Sequence, residues 1–125
     1  MQNPDNLAVT REAITLASMT YRFAAHLPAT ERFELSAQMR RAAVSVGSNI
    51  VEGCGRNGNR ALVASLHLAL GSACELRFQA ALAAELGLGD PGERAAVIEQ
   101  AERVGRMLSR LIVALRKRPD RPNSL

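Results

Sequence analysis

The residue pattern closest to a known chemical site is a glycine-rich segment near the middle of the chain. Residues 53–58 read Gly-Cys-Gly-Arg-Asn-Gly, which matches the dinucleotide-binding pattern G-x-G-x-x-G, and Glu75 follows at about the distance of a ribose-binding acid. That fingerprint follows a strand and opens the helix of a βαβ unit, whereas this segment ends a helical pattern. The glycines are therefore interpreted as a helix end and a tight turn. A weaker alternative is a phosphate held at the start of the next helix, beside Arg56 and Arg60.

Two cysteines and two histidines are the other candidates for catalysis or metal binding. In a helical hairpin Cys54 pairs with about position 59, so Cys74 stands about 15 residues further along, roughly 22 Å away. This distance excludes a disulfide between them. His26 and His67 are separated by a similar argument, and no Glu-x-x-His metal motif or Ser, His and Asp arrangement occurs. The sequence therefore predicts no catalytic residue, no metal site, no cofactor and no enzymatic activity.

Arginine supplies most of the charge. The chain has 16 basic and 12 acidic residues, a net charge of +4 and a pI near 10, and 15 of the basic residues are arginine. In the last helical segment Glu99 can neutralise Arg103, and Glu102 can neutralise Arg106, because each glutamate precedes its arginine by four residues. Beyond these residues, basic side chains outnumber acidic ones. This excess of positive charge either binds an anionic partner or serves only solubility. The candidate nucleic-acid-binding residues are these: Arg110, Arg116, Lys117, Arg118 at the cationic end, and Arg56 and Arg60 in the glycine-rich turn.

A polar stripe runs along the second helical segment, which is otherwise apolar. It consists of Arg41, Ser45, Ser48 and Glu52, spaced i, i+4, i+7 and i+11. In a hairpin Glu75 lies within one turn of Arg41, and a charge pair between them would explain charges at partly buried positions. A structural pair is favoured over a catalytic acid-base pair. The structural polar network predicted here comprises Arg41, Asn49, Glu52, Ser72 and Glu75.

Two glycines lie inside predicted helices, at Gly47 and Gly71. A glycine in an exposed helix interior costs about 1 kcal/mol relative to alanine. Close approach of a neighbouring backbone is the expected reason for both.

The elements that must position these residues are helices. Apolar residues recur at helical spacing, and no stretch shows the alternation of a strand. Turn residues interrupt the pattern at 27–30, 53–59 and 87–91. Three interruptions predict four helices, over about 6–26, 31–53, 60–86 and 91–117.

Helices of this length with short loops predict an all-α, antiparallel up-down-up-down four-helix bundle. Residues 1–118 are expected to form this single domain, because one apolar core suits a chain of 125 residues. Residues 119–125 are expected to be a disordered tail.

Several residues suit the predicted helix ends. Thr30 is the expected N-cap of the second helix, and Gly87 is the expected residue just beyond the end of the third. The fourth helix has the clearest start, with Asp90 at the cap, Pro91 at the first position and Glu93 at the third.

The apolar spacing also predicts which faces are buried. For the first helix the candidates are Leu7, Ile14, Met19 and Tyr21, or a subset of them. For the second they are Leu35, Met39, Ala42, Val46 and Ile50. For the third they are Leu62, Leu66, Ala69, Ala73 and Leu76. For the fourth they are Val97, Ala101, Val104, Leu108, Leu111 and Leu115.

Composition excludes some classes of function. Trp is absent and aromatic residues make up only 3% of the chain, so there are few side chains on which the bases of a single-stranded nucleic acid could stack. The longest charge-free run, 61–74, has 14 residues and is too short to span a bilayer. The N-terminus lacks a basic segment followed by an apolar one. A cytoplasmic protein without membrane contact is expected.

Several segments together resemble a known family. They include Leu27-Pro28 and Arg40-Arg41-Ala42-Ala43, and the most specific are residues 49–53, Asn-Ile-Val-Glu-Gly, and 71–75, Gly-Ser-Ala-Cys-Glu. The chain resembles the four-helix bundle proteins encoded in intervening sequences of 23S ribosomal RNA genes, which are similar in turn to the accessory variability determinants of diversity-generating retroelements. The resemblance implies an antiparallel bundle assembled as a ring, commonly a homopentamer, with a basic surface suspected of binding nucleic acid. It implies no catalytic activity.

The function expected from these observations is that of an oligomeric accessory protein that binds RNA or DNA through backbone phosphates with little base reading. The alternative is a structural or protein-interaction module without a nucleic-acid role. Assembly is also expected from the second and third helices, which offer more apolar face than one small bundle can cover.

Overall fold

Residues 7–118 fold into four α-helices and one short 3-10 helix. The computed structural model describes residues 7–118. Within them the elements are α1 (Ala8–Ala25), a 3-10 turn (Ala29–Glu31), α2 (Leu35–Cys54), α3 (Asn59–Glu85) and α4 (Pro91–Arg116). This part of the chain contains no strand, so the predicted all-α class is confirmed. Position 6 and the predicted tail, 119–125, lie outside the described residues.

The four helices pack around one apolar core. α1 contacts α2 and α4, and α3 contacts α2 and α4. The largest fully buried side chains come from every helix and include Leu16, Met39, Leu66 and Leu108. The core is therefore shared by all four helices, and the outer faces of the same helices carry the charged residues.

The junction between α3 and α4 forms as the sequence predicts. Gly87 follows the end of α3 with φ +67°, and its N–H donates to the carbonyl of Ala84 at 3.1 Å. The N–H of Leu88 donates to the carbonyl of Ala83 at 2.8 Å, which completes a Schellman motif. At the start of α4, Asp90 Oδ2 accepts from the N–H of Glu93 at 2.8 Å. Both predicted helix ends are confirmed.

The predicted start of α2 is wrong. Residues 29–31 form a 3-10 turn, and α2 begins at Leu35 without a side-chain cap at Thr30. The N–H of Arg32, which a Thr30 cap would bind, instead donates to the carbonyl of Ala29 at 3.1 Å. The first turn of α2 is held to the end of α1 by Ser36 Oγ, which donates to the carbonyl of Ala24 at 3.2 Å.

The predicted buried faces of α2 and α3 are confirmed in full. The prediction for α1 is only partly right: Leu7 and Met19 pack half-buried against the core, but Ile14 is 66% exposed and Tyr21 is 48% exposed. The buried face of α1 includes the small residue Ala13, which packs against α2. A Cβ added to Gly47 of α2 would lie 3.9 Å from the Cβ of Ala13. In α4 the stripe shifts by one residue near its end, since Ile112 is buried and Leu111 only half-buried. The side chains buried in α1 are Val9, Ala13, Leu16, Thr20, Phe23 and Ala24.

The expectation of close backbone approach at the two interior glycines is also wrong. A Cβ on Gly47 would make only an ordinary contact, and a Cβ on Gly71 would meet nothing within 4 Å. The close approach lies instead at Gly53, in the last turn of α2. The exposed glycine in the middle of α3 is therefore not explained by packing within one chain.

Among the described helices, α3 alone is long and apolar enough to cross a membrane. One third of its apolar stretch is buried inside the bundle. The core helix of a soluble protein passes the same test of length and composition, so this observation does not assign α3 to a membrane.

Candidate functional site

The first candidate site is the C-terminal end of α4. Arg116 is the last residue of the helix and Lys117 is its C-cap. Together with Arg110 and Arg118 these side chains are exposed. Cations at this end are stabilised by the negative end of the helix dipole. Arg116 is also anchored, because its Nη2 lies 2.8 Å from Nε2 of His67 on α3 and donates to it when that nitrogen carries no proton.

The second candidate, in the turn between α2 and α3, lies at the same end of the bundle. Arg56 pairs with Glu52, one turn earlier on α2. Arg60 lies in the first turn of α3, seven residues before His67. Two helical turns span about 10 Å, so Arg60 and the partner of Arg116 share one face of α3. The sequence predicted two separate candidate sites for these cations. The fold brings both groups to the same end of the bundle.

The glycine-rich segment contains no nucleotide-binding unit. Gly53 is buried inside α2, and the turn into α3 is made by Gly58, with φ +87°. Cys54 and Cys74 are both free thiols. Burial raises the pKa of the Cys54 thiol, which lowers its reactivity. Among residues 7–118, no group of three His, Cys, Asp or Glu side chains is placed to hold a metal ion.

The predicted polar network is only partly assembled. Ser45 and Ser72 share a hydrogen bond of 2.8 Å between their hydroxyls, which joins α2 to α3. Asn49 Nδ2 donates to the carbonyl of Ser45 at 2.8 Å and to its hydroxyl at 3.0 Å. These side chains are half-buried, so the bonds satisfy groups that water reaches poorly. Glu52 lies outside this network, on Arg56.

Arg41 and Glu75 are exposed, and the prediction of partly buried positions is wrong for both. They line the same groove between α2 and α3, yet the four ion pairs of the described residues do not include them. Glu75 Oε1 instead accepts from Gln79 Nε2 at 3.5 Å. Because both side chains are exposed to solvent, neither charge needs an ion-pair partner.

The sequence did not predict the ion pairs that α4 forms with its neighbouring helices. Arg103 Nε lies 2.9 Å from Oε1 of Glu12 on α1, and Glu102 Oε2 lies 3.9 Å from Nη1 of Arg77 on α3. The cross-helix partners thus replace the expected pairs along α4. The pKa of Glu12 is lowered by its hydrogen bond from Gln100, with a further contribution from Arg103.

These cross-helix pairs leave Arg106 and Arg110 without a carboxylate within 4 Å among the described residues. Both line a groove of about 500 Å³ between α3 and α4, whose opposite wall carries Arg77. No local pattern could have revealed this groove, since it depends on how α4 is rotated against α3.

The comparisons with known proteins bear on this fold. No curated protein matches the chain. A solved structure of a protein with unknown function from the S23 ribosomal protein family of Bacteroides thetaiotaomicron is similar in fold, with a TM-score of 0.79. The two sequences are 20% identical, and the match covers 89% of this chain and 99% of that chain. The family model for the 23S rRNA-intervening sequence protein matches residues 5–110. Because this match spans well over half of the chain, the protein belongs to the 23S rRNA-intervening sequence protein family.

Proposed function

We propose that this protein is a non-enzymatic accessory protein that binds nucleic acid through backbone phosphates at the end of the bundle where α4 ends. The observation that carries this proposal is the group of exposed cations there, Arg110, Arg116, Lys117 and Arg118. No ion pair of the described residues neutralises them. The name of the family refers to 23S rRNA and supports an RNA context for this proposal.

The binding mode we propose is tolerant of sequence. Arginine and lysine bind phosphates without reading bases, and affinity then depends strongly on salt because counterions are released. The chain lacks Trp and has only four aromatic residues, one Tyr and three Phe, so base stacking contributes little. Affinity for unrelated sequences should therefore be similar.

We further propose that the bundle is antiparallel and assembles as a ring, with the pentamer suggested by the family. Two contacts between α2 and α3 support the antiparallel order: Ser45 meets Ser72, while nearer the connecting turn Gly53 meets Ser65. An uncovered apolar face supports the assembly, since α2 and α3 expose several large apolar side chains. They are Val44, Val51, Leu68, Phe78 and Leu82. A ring would repeat the cationic end and strengthen its field.

Binding is tested by fluorescence anisotropy with generic RNA and duplex DNA over a series of salt concentrations. Changing Arg110, Arg116, Lys117 and Arg118 together to glutamine should weaken binding to all sequences equally, and each lost contact should reduce the salt slope by about one. The control carries four glutamines elsewhere, at Arg11, Arg22, Arg32 and Arg40, and loses the same net charge. Equal weakening by both variants would contradict a localised site.

The second candidate function, an interaction module that docks another protein, is favoured by the same exposed apolar face. A wild-type protein that retains neither RNA nor duplex DNA at about 50 mM salt, where phosphate contacts are strong, would select this candidate. Light scattering should give a mass several times 13.5 kDa. A monomer at micromolar concentration would contradict the ring.

A further inference from the structure

We propose that the sugar-phosphate backbone of a bound nucleic acid enters the groove between α3 and α4 and lies against Gly105, with Arg106 and Arg110 holding its phosphates. This inference rests on the proposed nucleic-acid binding and extends it from the end of α4 into the side of the bundle. It assigns a role to two arginines and a glycine that the core does not require.

The first step is the charge of the groove. Arg106 and Arg110 are four residues apart, so they lie on one face of α4, about 6 Å apart along its axis. Both are exposed, and the nearby Glu102 is directed to Arg77 on the opposite wall. The distance between Glu102 Oε2 and Arg77 Nη1 is 3.9 Å, which is long for an ion pair, and both side chains are exposed to solvent. The groove is therefore lined by three arginines and one carboxylate. Such a lining suits a polyanion.

The second step is the space that Gly105 leaves. A Cβ at this position would lie 3.6 Å from Leu70 Cδ1, which is an ordinary contact. Packing of α4 on α3 would therefore accept alanine, which is also the better helix former. Helix packing does not require a glycine here, and the consequence of a small residue at position 105 is that the groove floor between Leu70, Ala73 and Ala101 stays open.

The third step is continuity with the proposed site. Arg110 belongs to the cationic end and also lines the groove. Arg116 lies six residues further along α4, about 9 Å, and is anchored to α3 through His67. A backbone held by Arg116 can thus continue past Arg110 to Arg106. The apolar floor faces sugars, while the cations at the rim face phosphates.

Cys74 lines the groove and provides a probe. It is exposed, whereas Cys54 is buried, so alkylation by iodoacetamide reports on Cys74. A generic 20-mer single-stranded RNA at saturating concentration should slow this alkylation at least tenfold. Polyglutamate and inorganic phosphate serve as parallel arms. Equal protection by polyglutamate would overturn the proposal in favour of an acidic protein segment, and equal protection by phosphate would reduce the site to one for a small anion.

Affinity gives a second readout with variants of the full chain. Gly105→Leu should fill the floor and weaken RNA binding at least tenfold, whereas Gly105→Ala, whose Cβ fits, should remain within about threefold of wild type. Arg106→Gln, which changes a groove arginine outside the cationic end, should reduce the salt slope by about one. Arg103→Gln, three residues earlier on α4 but directed to Glu12, removes the same single charge and is the matched control. Circular dichroism establishes that each variant is folded.

The outcomes separate this inference from the function on which it rests. Wild-type binding with no protection of Cys74 and no effect of Gly105→Leu or of Arg106→Gln would overturn the groove and leave the end of α4 as the site. If Gly105→Leu fails to fold, Arg106→Gln and the protection of Cys74 still decide. Absence of wild-type binding would overturn both proposals.

Discussion

Gly53 and Ser65 bring α2 and α3 closer together than any side chain at position 53 would permit. A Cβ on Gly53 would lie 2.6 Å from the Cβ of Ser65 and 3.1 Å from Leu62 Cδ1. Gly53 is buried and its φ is not positive, so the requirement is for space and not for an unusual backbone conformation. The contact lies next to the turn that carries Arg56. It therefore sets how the two helices enter that turn.

Replacing Gly53 with alanine should lower the free energy of unfolding by about 1–3 kcal/mol, because the added methyl group overpacks the α2–α3 contact. Urea unfolding followed by far-UV circular dichroism measures the change. Gly47→Ala in the same helix is the control, since its Cβ would meet only Ala13 at 3.9 Å. This control should be neutral or stabilising by up to about 1 kcal/mol. The close-approach argument fails if both variants behave alike.

Asp90→Ala should destabilise the fold by about 1 kcal/mol, because the N–H of Glu93 at the start of α4 loses its acceptor. Thermal or urea unfolding measures the loss. Asp90→Asn retains a side-chain oxygen at the cap and should recover most of the stability. An asparagine variant as unstable as the alanine variant would show that the charge of Asp90, and not its capping bond, is what matters.

The pair formed by His26 and Glu93 should make stability depend on pH. His26 Nδ1 lies 2.9 Å from Glu93 Oε1, and this hydrogen bond and charge raise the pKa of His26 above its ordinary value of 6.5, with a smaller contribution from Asp90. The folded state thus holds the proton more tightly than the unfolded state. The resulting stability is fully present below about pH 6.5, the unfolded value, and is lost as the pH rises through the folded pKa.

A titration of the His26 ring by NMR measures this effect directly. In Glu93→Gln the pKa of His26 should fall toward its ordinary value, and the corresponding pH dependence of the urea midpoint should diminish. The effect on stability should be small, because the His26 side chain is 63% exposed. An unchanged pKa in the variant would show that the pair does not persist in solution.

Arg41→Ala and Glu75→Ala should each cost less than about 1 kcal/mol, because both side chains are exposed and hydrated. A double-mutant cycle of unfolding free energies should give additive effects. The Glu12 and Arg103 cycle is the comparison, and it should show coupling because those side chains form a pair across α1 and α4. Strong coupling between Arg41 and Glu75 would restore the buried pair that the sequence predicted.

The candidate site was predictable only as a set of residues. The surplus of cations from Arg110 onward is visible in the sequence, and the structure leaves those of them up to Arg118 exposed, as expected for a charged helix end. Their relation to Arg60 was not visible, because it depends on His67 meeting Arg116 across α3 and α4. The sequence predicted that Glu102 neutralises Arg106, and this is wrong because Glu102 is directed to Arg77 instead.

The sequence by itself determined the four helices, the Asp90 cap, the Gly87 termination and the buried faces of α2 and α3. Each of these depends on hydrogen bonds or apolar spacing within a few consecutive residues, so a local pattern contains the whole cause. Only the tertiary structure decided which face of α1 is buried, which glycine permits close approach and which carboxylate pairs with which arginine. These depend on the rotation and offset of each helix against its neighbours. Packing across the whole core sets that rotation and offset, because every helix contributes side chains to the same interior.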